Sequence, residues 1–154
     1  MKKITFLPLT ALLLVLISCN SCFFSDRIEG NGKLTTETRA IDASFNEISL
    51  SSEFTVYIVH SSENKVVVEA ESNLMEYIYT DVRSKNLSVR TPNNTWLDPR
   101  RDIIITVYTD YEINDLSISG SGYIESDTLK TSTLDLTISG SGDINVFVTE
   151  RLEV

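Results

Sequence analysis

The sequence predicts an all-β fold, a β-solenoid in which short strands of successive coils stack on one another. A nine-residue motif beginning at Leu116 returns 20 residues later at Leu136, with seven of its nine positions identical. Alternation of apolar and polar residues, typical of strands, also dominates the chain after residue 28, as in residues 54–58. A meander of hairpins in a β-sandwich, with Ser-Gly turns, is the alternative that these observations leave open.

Residues 1–18 predict a secretory signal. Lys2 and Lys3 precede an apolar stretch over residues 4–17, which is shorter than the roughly 20 residues that a transmembrane helix needs. The next junction, Leu-Ile-Ser-Cys at residues 16–19, resembles the lipobox of bacterial lipoproteins, where the peptidase cuts before a cysteine whose sulfur carries a diacylglyceryl group. The sequence therefore predicts lipid attachment at Cys19 and a membrane anchor. An ordinary cleaved signal followed by a chance cysteine is the alternative.

Composition limits the function. The 154 residues carry 13 Lys and Arg against 22 Asp and Glu, a net charge of −9. Binding to nucleic acid is not expected, because phosphates require clustered basic residues and the chain has no such cluster. The single His excludes most zinc sites, and no cofactor is expected. Cys22 stays unpaired once Cys19 is lipidated, so no disulfide framework is expected.

The chain after the signal predicts a tether and one domain. Residues 19–27 form the tether, and residues 28–154 form the domain, within which no second domain is evident. One helical turn is expected near Leu74, with Asn73 as its cap. Two prolines and paired asparagines mark residues 91–101 as a loop. Strands are expected over residues 54–58, 66–68, 86–90 and 103–108.

The repeat determines the predicted architecture. Its glycines are expected at corners, where φ is positive or where the backbone of the next coil comes too close for a Cβ atom. A looser third copy occupies residues 28–34, so the intervening coils must vary in length. The predicted corner glycines are Gly30, Gly32, Gly120, Gly122, Gly140 and Gly142. The predicted stacked pairs are Leu116 with Leu136, Ile118 with Ile138, and Ile124 with Ile144.

The Ile-Ser-Gly-Ser-Gly-x-Ile copies, preceded by Phe45-x-x-Ile48 and the 54–58 strand, resemble the family called putative auto-transporter adhesin, head GIN domain. The resemblance runs from about residue 28 to the last residue. It implies a right-handed parallel β-helix and no catalytic residues. It also implies a lipoprotein of the Bacteroidetes type in the cell envelope, at the outer membrane, facing the periplasm or the exterior.

The end of the chain differs from that family. Its members usually continue through further Gly-Ser-Gly coils, whereas residues 152–154 resemble the strand that enters the second copy. An uncapped coil exposes a bare strand edge, so a solenoid that is incomplete at its C-terminus is expected.

Few residues suggest chemistry. Gly-Ser-Gly lacks the spacing of a nucleophile elbow and of a phosphate loop, and Asp143 follows Gly142 too closely for a calcium nonapeptide, so no metal site is expected. Asp115 and Asp135 are 20 residues apart and would stack as a carboxylate pair, the arrangement a glycosidase would need. Solvated edge charges are the more common role of such residues. His60 is expected to be a solvated turn residue.

Trp96 is the candidate ligand-binding residue. It lies in the 91–101 loop beside Arg100 and Arg101, and an exposed ring can stack on a sugar or hold a cation. More often such a Trp folds back to cap the core. Four tyrosines could form a carbohydrate platform on one outer face, although ordinary sheet surface explains them equally well: Tyr57, Tyr79, Tyr108 and Tyr123.

The sequence thus predicts a lipid-anchored, non-enzymatic β-helix of the cell envelope that binds a glycan or a surface protein. Two alternatives remain. One is a structural scaffold that pairs with partners through its coil edges, and its oligomeric state is left open. The other is a polysaccharide-active enzyme that uses Asp115 and Asp135.

Overall fold

A computed structural model describes residues 26–149, and the predicted all-β class is confirmed. One helical element occurs in these residues, a single 3₁₀ turn at Met75–Tyr77. The strands, in chain order, are β1 Asp26–Glu29, β2 Leu34–Ala40, β3 Glu47–Ser51, β4 Thr55–His60, β5 Lys65–Glu71, β6 Tyr79–Arg83, β7 Asn86–Arg90, β8 Thr95–Asp98, β9 Ile104–Thr109, β10 Asp115–Gly120, β11 Tyr123–Lys130, β12 Asp135–Gly140 and β13 Asp143–Thr149.

The strands form two main sheets and one small sheet. The first main sheet has the order β12-β10-β3-β7-β6, the second has the order β13-β11-β4-β9-β5-β2, and β1 pairs with β8 in the small sheet. Pairing is parallel from β12 to β7 and from β13 to β9. It is antiparallel where β6 joins β7 and where β5 joins β9 and β2. Both main sheets are therefore mixed.

The two copies of the motif lie one above the other. β10 pairs with β12 without a shift along its whole length, and β11 pairs with β13 in the same way over its first half. Neighbouring strands are about 4.8 Å apart in such sheets, so equivalent side chains touch from layer to layer. The predicted stacking is confirmed for Leu116 with Leu136, Ile118 with Ile138 and Ile124 with Ile144.

Two more layers lie below these copies and carry no Gly-Ser-Gly corner. β3 contributes the triplet Ile-Ser-Leu, and β7 contributes Leu-Ser-Val, which repeat the apolar-hydroxyl-apolar pattern of the motif. Ile48 pairs with Leu116 on one side and with Leu87 on the other. The four triplets therefore form one continuous apolar ladder.

The layers do not follow one another in chain order. β7 and β9 come after β3 and β4 in the sequence, yet they pair with the lower edges of those strands, while β10 and β11 occupy the upper edges. A hairpin closed by Ser84 and Lys85, both at positive φ, brings β7 back beside β6. Coils of about 20 residues are therefore limited to the step from β10–β11 to β12–β13.

The looser copy at residues 28–34 is not a layer of this stack, so that part of the prediction is wrong. Ile28 lies in β1 and pairs with β8, whereas Leu34 begins β2, which runs antiparallel to β5. The Gly-x-Gly of this segment packs around a buried carboxylate instead of forming a corner between two coils.

Two local predictions are also corrected. The 91–101 loop contains strand β8, because β1 supplies a partner from a distant part of the sequence. The helical turn occurs, but Leu74 is its first flanking residue and makes no side-chain cap. Asn73 donates from Nδ2 to the carbonyl oxygen of Glu29 at 2.8 Å, so it fixes β1 and leaves the turn uncapped.

The space between the main sheets is a single apolar core. Its members alternate with outward-facing residues along every central strand, as the period of two requires. Leu116 and Ile118 are buried, whereas their partners Leu136 and Ile138 are 50% and 47% exposed, because only one neighbouring layer covers them in the described residues. Fully covered core side chains include Ile48, Leu50, Val56, Leu87, Ile105 and Ile124.

Candidate functional site

Trp96 lies on the surface in the middle of β8. Alternation along this strand directs Leu97 inward, where it is 9% exposed, and Trp96 outward, where it is 58% exposed. Parallel pairing with β1 places Trp96 opposite Arg27. The interpretation that the ring folds back to cap the core is therefore wrong, because Leu97 is the residue of this strand that enters the core.

Trp96 lines a cleft of about 480 Å³. One side comes from β8 and its flanking loop, and the other comes from the segment before β4 and from the corner between β10 and β11. The base is apolar, since Phe54, Leu97 and Ile103 line it and are themselves nearly covered. Hydroxyl and amide groups surround this base, from Ser52, Thr91, Asn94, Thr95 and Ser121.

The charged groups that line the cleft are two carboxylates. Glu53 and Asp102 are both exposed, and neither makes a hydrogen bond or ion pair within residues 26–149. No Lys, Arg or His of that same part of the chain lines the cleft. An aromatic face, an apolar base, neutral polar groups and two free carboxylates together suit a ligand that is rich in hydroxyl or amino groups.

Two of the arginines near the cleft, Arg27 and Arg100, are held by other acids. Arg27 donates to Asp98 at 2.6 Å, and this hydrogen bond, assisted by the attraction between the charges, raises the pKa of Arg27. Arg100 donates to Glu29 at 2.7 Å, and the pKa of Arg100 is raised for the same reasons. These pairs connect β1 to β8 and to the residues just beyond it.

The corner between β10 and β11 forms part of the wall. Gly120 has a φ of +136°, in the region that favours glycine, and a Cβ there would lie 3.2 Å from the carbonyl oxygen of Ser52. The next corner stacks directly above, since the N–H of Ser141 donates to the carbonyl oxygen of Gly120 at 2.9 Å. Gly140 repeats the conformation with a φ of +133°.

The sequence prediction missed a second feature close to the cleft, the buried carboxylate of Glu71. The residue is fully buried and ends β5, where strict alternation would have placed it on the outer face. Its carboxylate accepts the backbone N–H of Gly32 and, at 2.8 Å, that of Arg100. Gly30 packs against it so closely that a Cβ would overlap the carboxylate. Glu71 therefore joins three segments that are distant in sequence.

The other candidates do not converge on the cleft. Asp115 and Asp135 are partners in adjacent strands, as predicted, but neither lines the Trp96 cleft. His60 ends β4, with Nε2 3.2 Å from Lys130 Nζ. Tyr79 belongs to the first main sheet and has the Arg90 guanidinium 5.0 Å from its ring centre. The other three tyrosines lie in the second sheet, so no platform of four forms.

Arginines and acids line a shallower groove of about 540 Å³ beside β6. Arg39 pairs with Glu37 at 2.7 Å, while Arg83 and Arg90 share Asp81 at 2.9 and 3.1 Å. Its charges are therefore neutralised internally. In residues 26–149, no group of three His, Cys, Asp or Glu side chains is placed to hold a metal ion.

The family model described as putative auto-transporter adhesin, head GIN domain, matches residues 44–154. The chain belongs to this family. Among the described residues, the match takes in both copies of the motif, the two layers below them and the whole cleft. The resemblance predicted from the sequence is thus confirmed.

Solved structures with the same fold come from species of Parabacteroides and Bacteroides. A putative lipid binding protein from Parabacteroides distasonis is 23% identical, with a TM-score of 0.71, over 81% of this head GIN domain chain and 55% of its own. A putative adhesin from Bacteroides fragilis is 20% identical, with a TM-score of 0.72, over 80% and 57%. A putative adhesin from Parabacteroides merdae is 21% identical, with a TM-score of 0.62, over 81% and 61%.

The TM-scores show that these proteins share the fold of this chain. The chain spans between 55% and 61% of the length of the three solved structures. A comparison with curated proteins finds no significant match. Within residues 26–149, no helix has the length and hydropathy that a bilayer crossing requires.

Proposed function

We propose that this head GIN domain is a non-enzymatic binding module of the cell envelope, of the adhesin type, and that it holds a glycan in the Trp96 cleft. One observation carries the proposal: the single Trp of the chain is 58% exposed, on the wall of a cleft of about 480 Å³. Large aromatic side chains that remain exposed beside polar groups are characteristic of recognition sites. Adhesin is also the description of the family and of two of the solved relatives.

The chemistry of the lining fits a sugar. The indole face can cover the apolar C–H face of a sugar ring. Asn94 can donate and accept hydrogen bonds, while the carboxylates of Glu53 and Asp102 accept them from sugar hydroxyls. The proposal includes no catalytic step, and the stacked pair Asp115 and Asp135 stands outside this site.

Replacing Trp96 with alanine is expected to weaken glycan binding by about tenfold or more, because truncating an aromatic residue at the centre of a binding site typically costs about 2 kcal/mol or more. The measurement is a glycan array, followed by titration of each bound oligosaccharide. Because the chain has one Trp, its fluorescence reports directly on the cleft. A bound sugar is expected to shift the emission of the unaltered protein.

The matched control is Phe147→Ala, which removes another exposed aromatic ring, 65% accessible and outside the cleft. It is expected to leave glycan affinity unchanged. Equal losses in both variants, or no glycan binding at all, would contradict the proposal. Concentration-dependent self-association without glycan binding would instead favour a scaffold role, which the exposed Leu136, Ile138 and Val148 in the outermost strands support.

We also propose that the protein is anchored in the outer membrane through lipid on Cys19, after removal of residues 1–18 as a signal and with residues 19–27 as a tether to the domain of residues 28–154. Both cysteines lie outside the described residues, and the lipobox at residues 16–19 supports the proposal. A single acyl chain holds a protein weakly, so several chains on one cysteine would be needed for stable anchoring.

The variant Cys19→Ser is expected to lose incorporation of labelled palmitate and to leave the membrane fraction. Cys22→Ser is the matched control, since it removes the neighbouring thiol and should keep both properties. Labelling that persists in Cys19→Ser would show that the junction is not a lipobox.

We further infer that the ascending layers β3–β4, β10–β11 and β12–β13 follow the path of a right-handed parallel β-helix. Parallel pairing in an unshifted register supports this inference, and so do the corner glycines Gly120, Gly122, Gly140 and Gly142. A stack of this kind presents outward side chains at regular intervals, which suits a ligand made of repeated units.

A further inference from the structure

We propose that the Trp96 cleft selects its ligand by charge and takes a sugar unit carrying a free, protonated amino group in preference to a neutral or an acidic sugar. The inference rests on the glycan-binding function proposed for the same cleft. It concerns the class of sugar, and it can fail while glycan binding itself stands.

The first support is that the carboxylates of the cleft have no basic partner. Glu53 and Asp102 make no ion pair or hydrogen bond within the described residues. The acids just outside the cleft are different, since Asp98 holds Arg27 at 2.6 Å and Glu29 holds Arg100 at 2.7 Å. Arg27 and Arg100 are thus committed elsewhere, and Arg101, which is exposed, does not line the cleft, so the cation that pairs with these carboxylates is expected to come from the ligand.

The second support is the exposed aromatic ring of Trp96. The face of an indole attracts cations more strongly than that of any other side chain, and carboxylates form stronger hydrogen bonds with ammonium than with hydroxyl groups. Trp96, Glu53 and Asp102 all line the same cleft. An amino sugar offers the C–H face and the ammonium group in one rigid unit, so it uses both features together.

The third support is the electrostatic field around the cleft. The chain carries a net charge of −9, and no basic residue among residues 26–149 lines the cleft. A uronic acid or a sialic acid would bring a further negative charge to two unpaired carboxylates, and like charges placed close together are unfavourable. Acidic glycans are therefore expected to be rejected.

The probes are three tetrasaccharides: glucosamine, N-acetylglucosamine and galacturonic acid tetramers. The first two share one backbone and differ in the charge of the nitrogen. At low ionic strength, below the pKa of the sugar amine, the glucosamine tetramer is expected to bind about tenfold more tightly than its acetylated form. Near 1 M salt, where the Debye length is about 3 Å, most of this preference should disappear.

The double variant Glu53→Gln and Asp102→Asn tests the origin of the preference. It is expected to weaken binding of the glucosamine tetramer more than that of the acetylated tetramer, and to bring the two affinities within about twofold of each other. The control Glu125→Gln and Asp127→Asn removes the same charge from β11, outside the cleft, and should keep the tenfold preference. Binding of the glucosamine tetramer and binding of the acetylated tetramer should both require Trp96.

The outcomes separate the two proposals. Equal affinities of the unaltered protein for charged and acetylated tetramers, both lost in Trp96→Ala, would overturn charge selection and leave glycan binding in place. Binding of the glucosamine tetramer that survives Trp96→Ala, or that weakens equally in both double variants, would show general attraction to an acidic surface and overturn the inference. Absence of any Trp96-dependent binding would overturn the site as well.

Discussion

Replacing Glu71 with alanine is expected to lower the free energy of unfolding by about 3 kcal/mol. The buried carboxylate accepts hydrogen bonds from the backbone N–H groups of Gly32 and Arg100, which lie 39 residues before and 29 residues after Glu71 in the sequence. Removing it leaves both donors without a partner and opens a gap against Gly30. The loss combines two charge-assisted hydrogen bonds with a cavity, and the measurement is the midpoint and slope of unfolding in urea.

Two further variants show whether the loss of stability is specific to the Glu71 carboxylate. Glu69→Ala changes the preceding outward position of the same strand and should alter stability by less than about 0.5 kcal/mol. Glu71→Gln keeps the shape but turns an amide group toward one N–H donor, so an intermediate loss of about 1–2 kcal/mol is expected. A Glu71→Ala protein as stable as Glu69→Ala would show that the carboxylate does not hold these segments together.

Replacing Gly122 with alanine is expected to cost about 3 kcal/mol, at the upper end of the usual penalty for overpacking. A Cβ at this position would lie 2.7 Å from the carbonyl oxygen of Ser52 and 2.9 Å from that of Phe54, closer than real Cβ contacts. Phe54 cannot move away freely, because its carbonyl accepts the N–H of Tyr123 at 2.9 Å. The layers would have to separate at this corner.

The control for the corner is Ser141→Ala, in the turn stacked one layer above. Ser141 is exposed, and its backbone N–H, which the substitution keeps, makes its contact with the layer below. A change below about 0.5 kcal/mol is expected. If Gly122→Ala unfolds at the same urea concentration as Ser141→Ala, the close approach of the two backbones does not restrict this position.

The two stability tests also bear on the cleft. Glu71 holds Arg100 in the residues just beyond β8, and Gly122 belongs to the corner that supplies Ser121 to the cleft wall. The shape of the cleft walls therefore depends on residues that lie outside the cleft lining. Variants at these positions are expected to change the shape of the cleft along with the stability of the domain.

Local patterns in the sequence predicted the elements well. Alternation identified the strands around residues 54–58 and 86–90, and the repeat gave the register of Ile118 on Ile138. These signals succeed because the side-chain period of a strand is set by consecutive residues, and because the Gly-Ser-Gly corner marks equivalent positions in both copies. The layers of β3 and β7 have no such corner. Their likeness to the motif is limited to the short triplets Ile-Ser-Leu and Leu-Ser-Val.

The cleft also combines features that the sequence indicated with features that only the tertiary structure created. Trp96 could be singled out in the sequence, but whether it pointed inward or outward depended on the phase of β8, which pairing with β1 sets. A shift of one residue would have exchanged Trp96 with Leu97. Glu53 and Asp102 carried no sequence signal, because they lie in connections 49 residues apart and line one cleft only as a result of the pairing of β4 with β9.

By itself, the sequence determined the all-β class, the family and the stacking of the two motif copies. It also marked Trp96 as the residue to examine. The tertiary structure alone decided that β7 and β9 insert below β3 and β4, that Glu71 turns inward, and that two unpaired carboxylates share a cleft with Trp96. The physical reason is that alternation reflects the conformation of consecutive residues and a repeat marks equivalent positions directly, whereas layer order, burial and charge pairing depend on which distant segments come into contact.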